Sequence, residues 1–259
     1  MSLIEVADLR RACAASAAAY SAHLEAPFNH LMLYGITDVV AFNKGGTQGF
    51  TGWNQTDSEV IVAFTGTNGV NDILDDIDIA FTRTSEGFVH AGAWAGLQRV
   101  EGVIDEQVRD LLESKKILRP SRVLITGHSL GGSLAALYAV RCLDHVSVAT
   151  RLITFGQPRV GRRDWAECAD DRLSAYVRVV HDCDCVPTAP VSPYHHTGDL
   201  LHLNSQGELI GALGRGWRGL IRSVRMFFKY PRGGINDHFM TTYIDVIQKL
   251  SPSWKLSND

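Results

Sequence analysis

The sequence predicts an α/β protein with a mostly parallel central sheet flanked by helices. Three observations point there. Strand-like and helix-like runs alternate from Arg122 onward, the order expected of parallel strands joined by right-handed crossovers. Val60-Ile61-Val62-Ala63-Phe64 is continuously apolar, as a strand covered on both faces must be. The segment from Arg122 to Ala139 passes from a strand through a glycine-bounded turn into a helix.

In chain order, Leu3 to His23 reads as an opening helix, and Thr37 to Thr67 alternates β-rich runs with polar turns such as Asn54-Gln55-Thr56-Asp57, as a hairpin entering the sheet does. The apolar strand then stops at Thr65-Gly66-Thr67. From Ala91 to Lys116, Leu97, Val100, Val103, Ile104, Val108, Leu111 and Leu112 recur at helical spacing, and Pro120 follows. The strand-like runs Arg122–Thr126, Arg151–Phe155 and Ala175–Val180 are separated by helical segments near Leu130–Cys142 and Asp164–Asp171.

The 259 residues, 45% of them hydrophobic, suit one domain over 1–259, with no internal repeat, low-complexity tract or linker at which to divide it. A formal charge of −3 supplies no global field toward nucleic acid or anionic membrane. Five cysteines, Cys13, Cys142, Cys168, Cys183 and Cys185, lack the density of a disulfide scaffold and point to a reducing compartment. The alanine-rich stretch Ala12–Ala19 is too short and weakly apolar for a signal peptide, and no run reaches the roughly 18 apolar residues of a spanning helix. The expected location is the cytoplasm, or outside the cell by a non-classical route.

The chemistry concentrates at the strand-to-helix turn. Arg122-Val123-Leu124-Ile125-Thr126 runs into Gly127-His128-Ser129-Leu130-Gly131-Gly132 and then a helix-forming run. Such an elbow strains its central residue and requires small residues two before and two after it, here Gly127 and Gly131. Ser129 is the nucleophile candidate, and the helix start aims the Leu130 amide at an oxyanion formed there. The bland reading is a tightly packed or phosphate-cradling glycine turn, but no P-loop Lys-Ser/Thr follows.

A serine nucleophile at this elbow needs a later carboxylate and then a histidine. Asp182 and Asp184 both qualify, lying just beyond the strand that ends at Val180. His238, at the start of the last helical run with Met240, Tyr243, Ile244 and Ile247 to anchor it, is favoured as base over His195, His196 and His202.

These motifs, together with Thr154-Phe155-Gly156-Gln157-Pro158-Arg159-Val160-Gly161, Asp184-Cys185-Val186-Pro187, Val89-His90-Ala91-Gly92 and Asp237-His238 with Tyr243, resemble the class 3 lipase family over about Ile61 to Ile244. The resemblance implies the α/β-hydrolase fold of the fungal-type triacylglycerol lipases. It assigns Ser129 as nucleophile, Asp184 rather than Asp182 as the acid, His238 as general base, and Asp182 as a solvated neighbour. The family pattern Phe-Arg-Gly-Ser/Thr falls on Phe64-Thr65-Gly66-Thr67, making Thr67 the second oxyanion donor beside Leu130; Thr65 departs from the arginine that would brace the loop. No metal or organic cofactor is required. The metal alternative, drawn from His181, Asp182, Cys183, Asp184, Cys185, His195 and His196, meets no familiar zinc spacing.

Two amphipathic segments bear on substrate entry. In 68–78, Val70, Ile73, Leu74 and Ile77 oppose Asp72, Asp75 and Asp76; by resemblance a lid sits here, and a fixed helix closing the core is the equal alternative. In 215–232, Trp217, Leu220, Ile221, Val224, Phe227 and Phe228 form one stripe and Arg218, Arg222, Arg225 and Lys229 another, suiting either an anionic lipid surface or a core-packed helix with a solvated basic face. The functions to separate are a lipase on acylglycerols, a phospholipase A on anionic membrane lipids, an esterase of small soluble esters, and a noncatalytic lipid-binding module.

Overall fold

Alanines near the N-terminus let the opening helix lie close against the sheet. In the computed structural model, which describes residues 4–21, 29–66, 80–114, 120–213 and 234–256, helix α1 covers Val6–Ala19. It starts later than the sequence suggests because Ile4–Glu5 pair with Lys255–Leu256 as a short antiparallel ladder. Strands β1 (Ile36–Lys44), β2 (Thr47–Asn54) and β3 (Glu59–Phe64) follow as consecutive antiparallel neighbours. A small hairpin, β4 (Phe81–Arg83) and β5 (Phe88–His90), leads into helix α2 (Ala91–Glu113). There His90 caps the helix, its Nδ1 accepting from the Ala93 amide at 3.1 Å.

The alternation then runs β6 (Arg122–His128), α3 (Leu130–Cys142), β7 (Ala149–Phe155), α4 (Arg163–Arg172) and β8 (Ala175–His181). It closes with β9 (Asp199–Leu203), β10 (Leu209–Leu213) and α5 (Met240–Lys249). The eight-stranded sheet has the order β10-β9-β8-β7-β6-β3-β2-β1. From β3 to β9 neighbours are parallel, and the antiparallel pairs lie at the two edges. This is the expected α/β-hydrolase arrangement, with β9, β10 and the β4–β5 hairpin added to what the sequence suggested.

The period-two alternation of strand side chains sorts the core into two layers. Val60, Val62, Phe64, Val123 and Ile125 pack under Leu97, Leu134 and Trp165 of α2, α3 and α4. Ile61, Ala63, Leu124, Ile153 and Val177 pack under Leu9 and Ala15 of α1 and Val246 and Ile247 of α5. Parallel strands covered on both faces deliver their carboxyl ends to one edge, where loops can assemble a site. No helix among the described residues is long and apolar enough to cross a membrane. The segments 68–78 and 215–232 lie outside the described residues.

At the opposite edge, Arg11 of α1 reaches Glu59 at 3.0 Å and also pairs with Asp57, while Arg122 Nε holds the other Glu59 oxygen at 2.6 Å. Arg151 binds Asp8 at 3.0 Å. Burial pushes the Glu59 carboxyl up, and Arg11 and Arg122 pull it back only in part. Removing one cation from such a cluster strands buried charge. Arg11→Met is therefore expected to cost about 3 kcal/mol in urea unfolding; a loss under about 1 kcal/mol would mean the cluster is replaceable by apolar packing.

Candidate active site

Ser129 follows β6 at the head of α3 with φ +57° and ψ −129°. A non-glycine residue held there costs on the order of 1–3 kcal/mol, so the surroundings must impose it. They do so by contact. A Cβ on Gly127 would stand 2.3 Å from the Gly131 carbonyl oxygen, and one on Gly131 would stand 2.5 Å from that of Phe64. The Ser129 amide donates to the Phe155 carbonyl at 2.9 Å, and the Gly132 amide donates to the Ser129 carbonyl at 2.9 Å. The turn is thus clamped between β3, β7 and the first turn of α3. Leu130 opens α3, so its amide is among the helix's unpaired first donors.

The loop after β8 carries Asp184, which accepts at three sides. The Val186 amide donates to Oδ1 at 2.9 Å, the Tyr243 hydroxyl to Oδ2 at 2.5 Å, and His238 Nδ1 lies 3.0 and 2.9 Å from the two oxygens. The Asp184 and His238 side chains are both fully buried. His238 closes the turn Asn236–His238 just before α5. Its ring lies 4.6 Å, centroid to centroid, from that of His128, which places it beside the elbow. Burial first and the Asp184 charge second push the Tyr243 hydroxyl well up, so it stays protonated and donating.

Of the three sequence-named residues, Asp184 and His238 meet directly, and the His238 ring packs on that of His128, the residue before Ser129. Ser129 Oγ and His238 Nε2 are both buried without a hydrogen-bond partner among the described residues. The imidazole is fixed on one side and open on the other, and hydrogen bonds of this kind often close only around substrate. Thr67 lies outside the described residues.

Two of the rivals are occupied elsewhere. His202 Nε2 bonds the Asp182 carbonyl at 2.7 Å, and His195 Nδ1 bonds that of Pro193 at 2.9 Å. His196 is held neutral by burial and by the nearby charges of Arg178 and Arg159. Asp182, read as a solvated neighbour, is partly exposed but also engaged. At φ +39° it turns its half-buried carboxylate onto Ser205, and although burial raises it, hydrogen bonds from Ser205 and Cys183 hold it below its usual range. Of the residues of the metal alternative, among the described residues only Asp182 and Cys183 come together, with Asp237 as a third. Asp184 is committed to His238, and the ligand atoms of Asp182, Cys183 and Asp237 that fall within 4.8 Å of one another are partly spent on Ser205 and on the Cys183 amide.

Sequence reasoning missed His128 and Tyr20. His128 Nε2 bonds the His238 carbonyl at 2.6 Å and its Nδ1 faces the Tyr20 hydroxyl at 2.7 Å, which fits Nε2–H donating and Nδ1 accepting. Burial, and then the neighbouring His238, push His128 well below the ordinary value of 6.5. An unfolded chain binds a proton there as pH falls through 6.5, whereas the folded protein does not. Its contribution is thus whole above 6.5 and lost on acidification. Unfolding midpoints measured from pH 8 to about 5 are expected to fall, and His128→Gln to flatten that slope; an unchanged slope would place the acid sensitivity elsewhere.

Known proteins share both the motifs and the fold. A model described as "Lipase (class 3)" matches residues 61–193, just over half of the chain. A lipase of Caenorhabditis elegans is 32% identical over 142 residues, 47% of this chain and 40% of that protein. The secreted mono- and diacylglycerol lipase 1 of Fusarium solani is 26% identical over 161 residues, 61% of this chain and 48% of that one. The chain thus matches less than half the length of these curated relatives. The triacylglyceride lipase structure of Rhizomucor miehei superposes with a TM-score of 0.77 at 17% identity, covering 92% of this chain and 94% of that one, which shows a shared fold. With fold, elbow and family model in agreement, the chain belongs to the class 3 lipase family.

Proposed function

We propose that the protein is a serine carboxylic-ester hydrolase that cleaves acyl esters of lipids through an acyl-enzyme on Ser129. The observation that carries this is the buried Asp184–His238 pair set beside a strained serine, with His238 Nε2 and Ser129 Oγ both unengaged among the described residues. Ser129 Oγ attacks the ester carbonyl while His238 Nε2 takes its proton, and the alcohol leaves with that proton. Water then repeats the attack on the acyl-serine and frees the acid. Asp184, itself held by Tyr243 and Val186, keeps the imidazole in the required tautomer and stabilises the cation that forms. Leu130 is assigned as one oxyanion donor from its place at the head of α3, and Thr67 as the other by family pattern.

The lipid substrate is supported by the family and by the acylglycerol named for the Fusarium relative. The basic and aromatic run 215–232 favours a second reading, a phospholipase A at an anionic lipid surface. Hydrolysis of short- and long-chain p-nitrophenyl esters, and fatty acid release from trioleoylglycerol emulsions and phosphatidylglycerol vesicles, separate these. The wild type is expected to cleave long-chain esters and the emulsion. Ser129→Ala should lose about ten-thousand-fold or more in kcat, and Asp184→Asn about a thousand-fold or more. Full activity of Ser129→Ala would contradict the mechanism. Release from vesicles but not emulsion would favour the phospholipase, and a folded wild type inert toward all of them the noncatalytic module.

A further inference from the structure

We infer that Tyr20 is a positioning residue for the acyl-transfer reaction, its hydroxyl bracing the tip of β3 against the nucleophile elbow; this rests on the ester-hydrolase reading above. Tyr20 stands at the C-terminal end of α1. That helix is fixed to the sheet by Leu9, Ala12 and Ala15 in the core and by a 2.8 Å hydrogen bond between Ser16 Oγ and Thr126 Oγ1 of β6. The phenol therefore springs from a rigid base.

Its hydroxyl meets two groups with opposite demands. It donates to His128 Nδ1 at 2.7 Å and accepts from the Gly66 amide. The packing there is tight: a Cβ on Gly66 would stand 2.5 Å from the Tyr20 hydroxyl oxygen, 2.6 Å from the His128 carbonyl oxygen and 3.2 Å from Ser129 Cβ. His128 in turn donates from Nε2 to the His238 carbonyl at 2.6 Å. One hydroxyl thus ties α1, the end of β3 and the elbow, and through His128 the backbone of the base.

The place of this brace answers an irregularity in the sequence. Thr65 occupies the position where the family pattern has arginine, and its hydroxyl has no partner among the described residues. The Thr65 amide is anchored to Gln48, but the Thr65 hydroxyl lends the loop beyond β3 no such anchor. Tyr20 supplies that support from another element, at the backbone that leads into the proposed oxyanion donor. Geometry on the oxyanion side matters most when negative charge has developed on the carbonyl oxygen, so the brace acts on the transition state more than on substrate binding.

The test compares wild type with Tyr20→Phe, which removes only the hydroxyl, on p-nitrophenyl butyrate. The inference predicts a fall in kcat of about ten- to a hundred-fold, with KM within about twofold and the acid limb of the pH profile unmoved. The inhibition constant of an alkylboronic acid, whose serine adduct is tetrahedral and anionic, should rise in step with the loss of kcat. Unchanged kcat, or a fall with unaltered boronic-acid affinity, would overturn it; so would an acid limb that moves, because Tyr20 would then act through His238. Hydrogen exchange in the wild type gives an answer that needs no variant: the Gly66 amide should be protected, and free exchange there sinks the brace. A wild type that cleaves no ester while the Gly66 amide is protected overturns the hydrolase reading itself, and with it the catalytic purpose of the brace.

Discussion

The conformation of Ser129 is the constraint on which the remainder of the site depends. A side chain at φ +57° is not where serine rests by itself, and the turn exists because Gly127, Gly131 and the Phe64 carbonyl approach more closely than any Cβ permits. That approach requires β3, β6 and β7 in parallel register with α3 directly behind them, which the Gly127 pairings to Phe64 and Thr154 provide. Strain at the elbow is thereby balanced by packing of the whole sheet, and the serine hydroxyl is presented where the chain has no alternative path.

The sheet also separates stability from chemistry. Its amino-terminal edge carries the buried ion cluster of Asp8, Arg11, Asp57, Glu59, Arg122 and Arg151, which ties α1 to three strands. Its carboxyl edge carries Ser129, Asp184 and His238. Helix α1 spans both ends. Arg11 works in the cluster and Tyr20 beside the elbow, so the alanine-rich helix contacts both edges of the sheet.

How far the sequence discloses each feature depends on how local its signal is. The central strands are legible because burial on both faces makes Val60–Phe64 apolar without interruption, and the elbow because its glycines sit at fixed spacing. Strands β9 and β10 are not, since His202 interrupts one and Gly211 the other. Position alone leaves Asp182 and Asp184 equal. The choice lies in contacts far along the chain, with His238 and Tyr243 on Asp184 and Ser205 on Asp182. Tyr20 gives no signal because its partners, Gly66 and His128, are brought to it only by the fold.

On the proposed reading, the clamped turn makes Ser129, with His238 near it, the reactive group of this protein. The most direct measurement is reaction with an alkyl fluorophosphonate and then mass spectrometry of the intact chain and its peptides. The account predicts one adduct per chain, on Ser129, forming far more slowly in His238→Ala although that variant remains folded. An adduct on another residue, or equal labelling without His238, would contradict it.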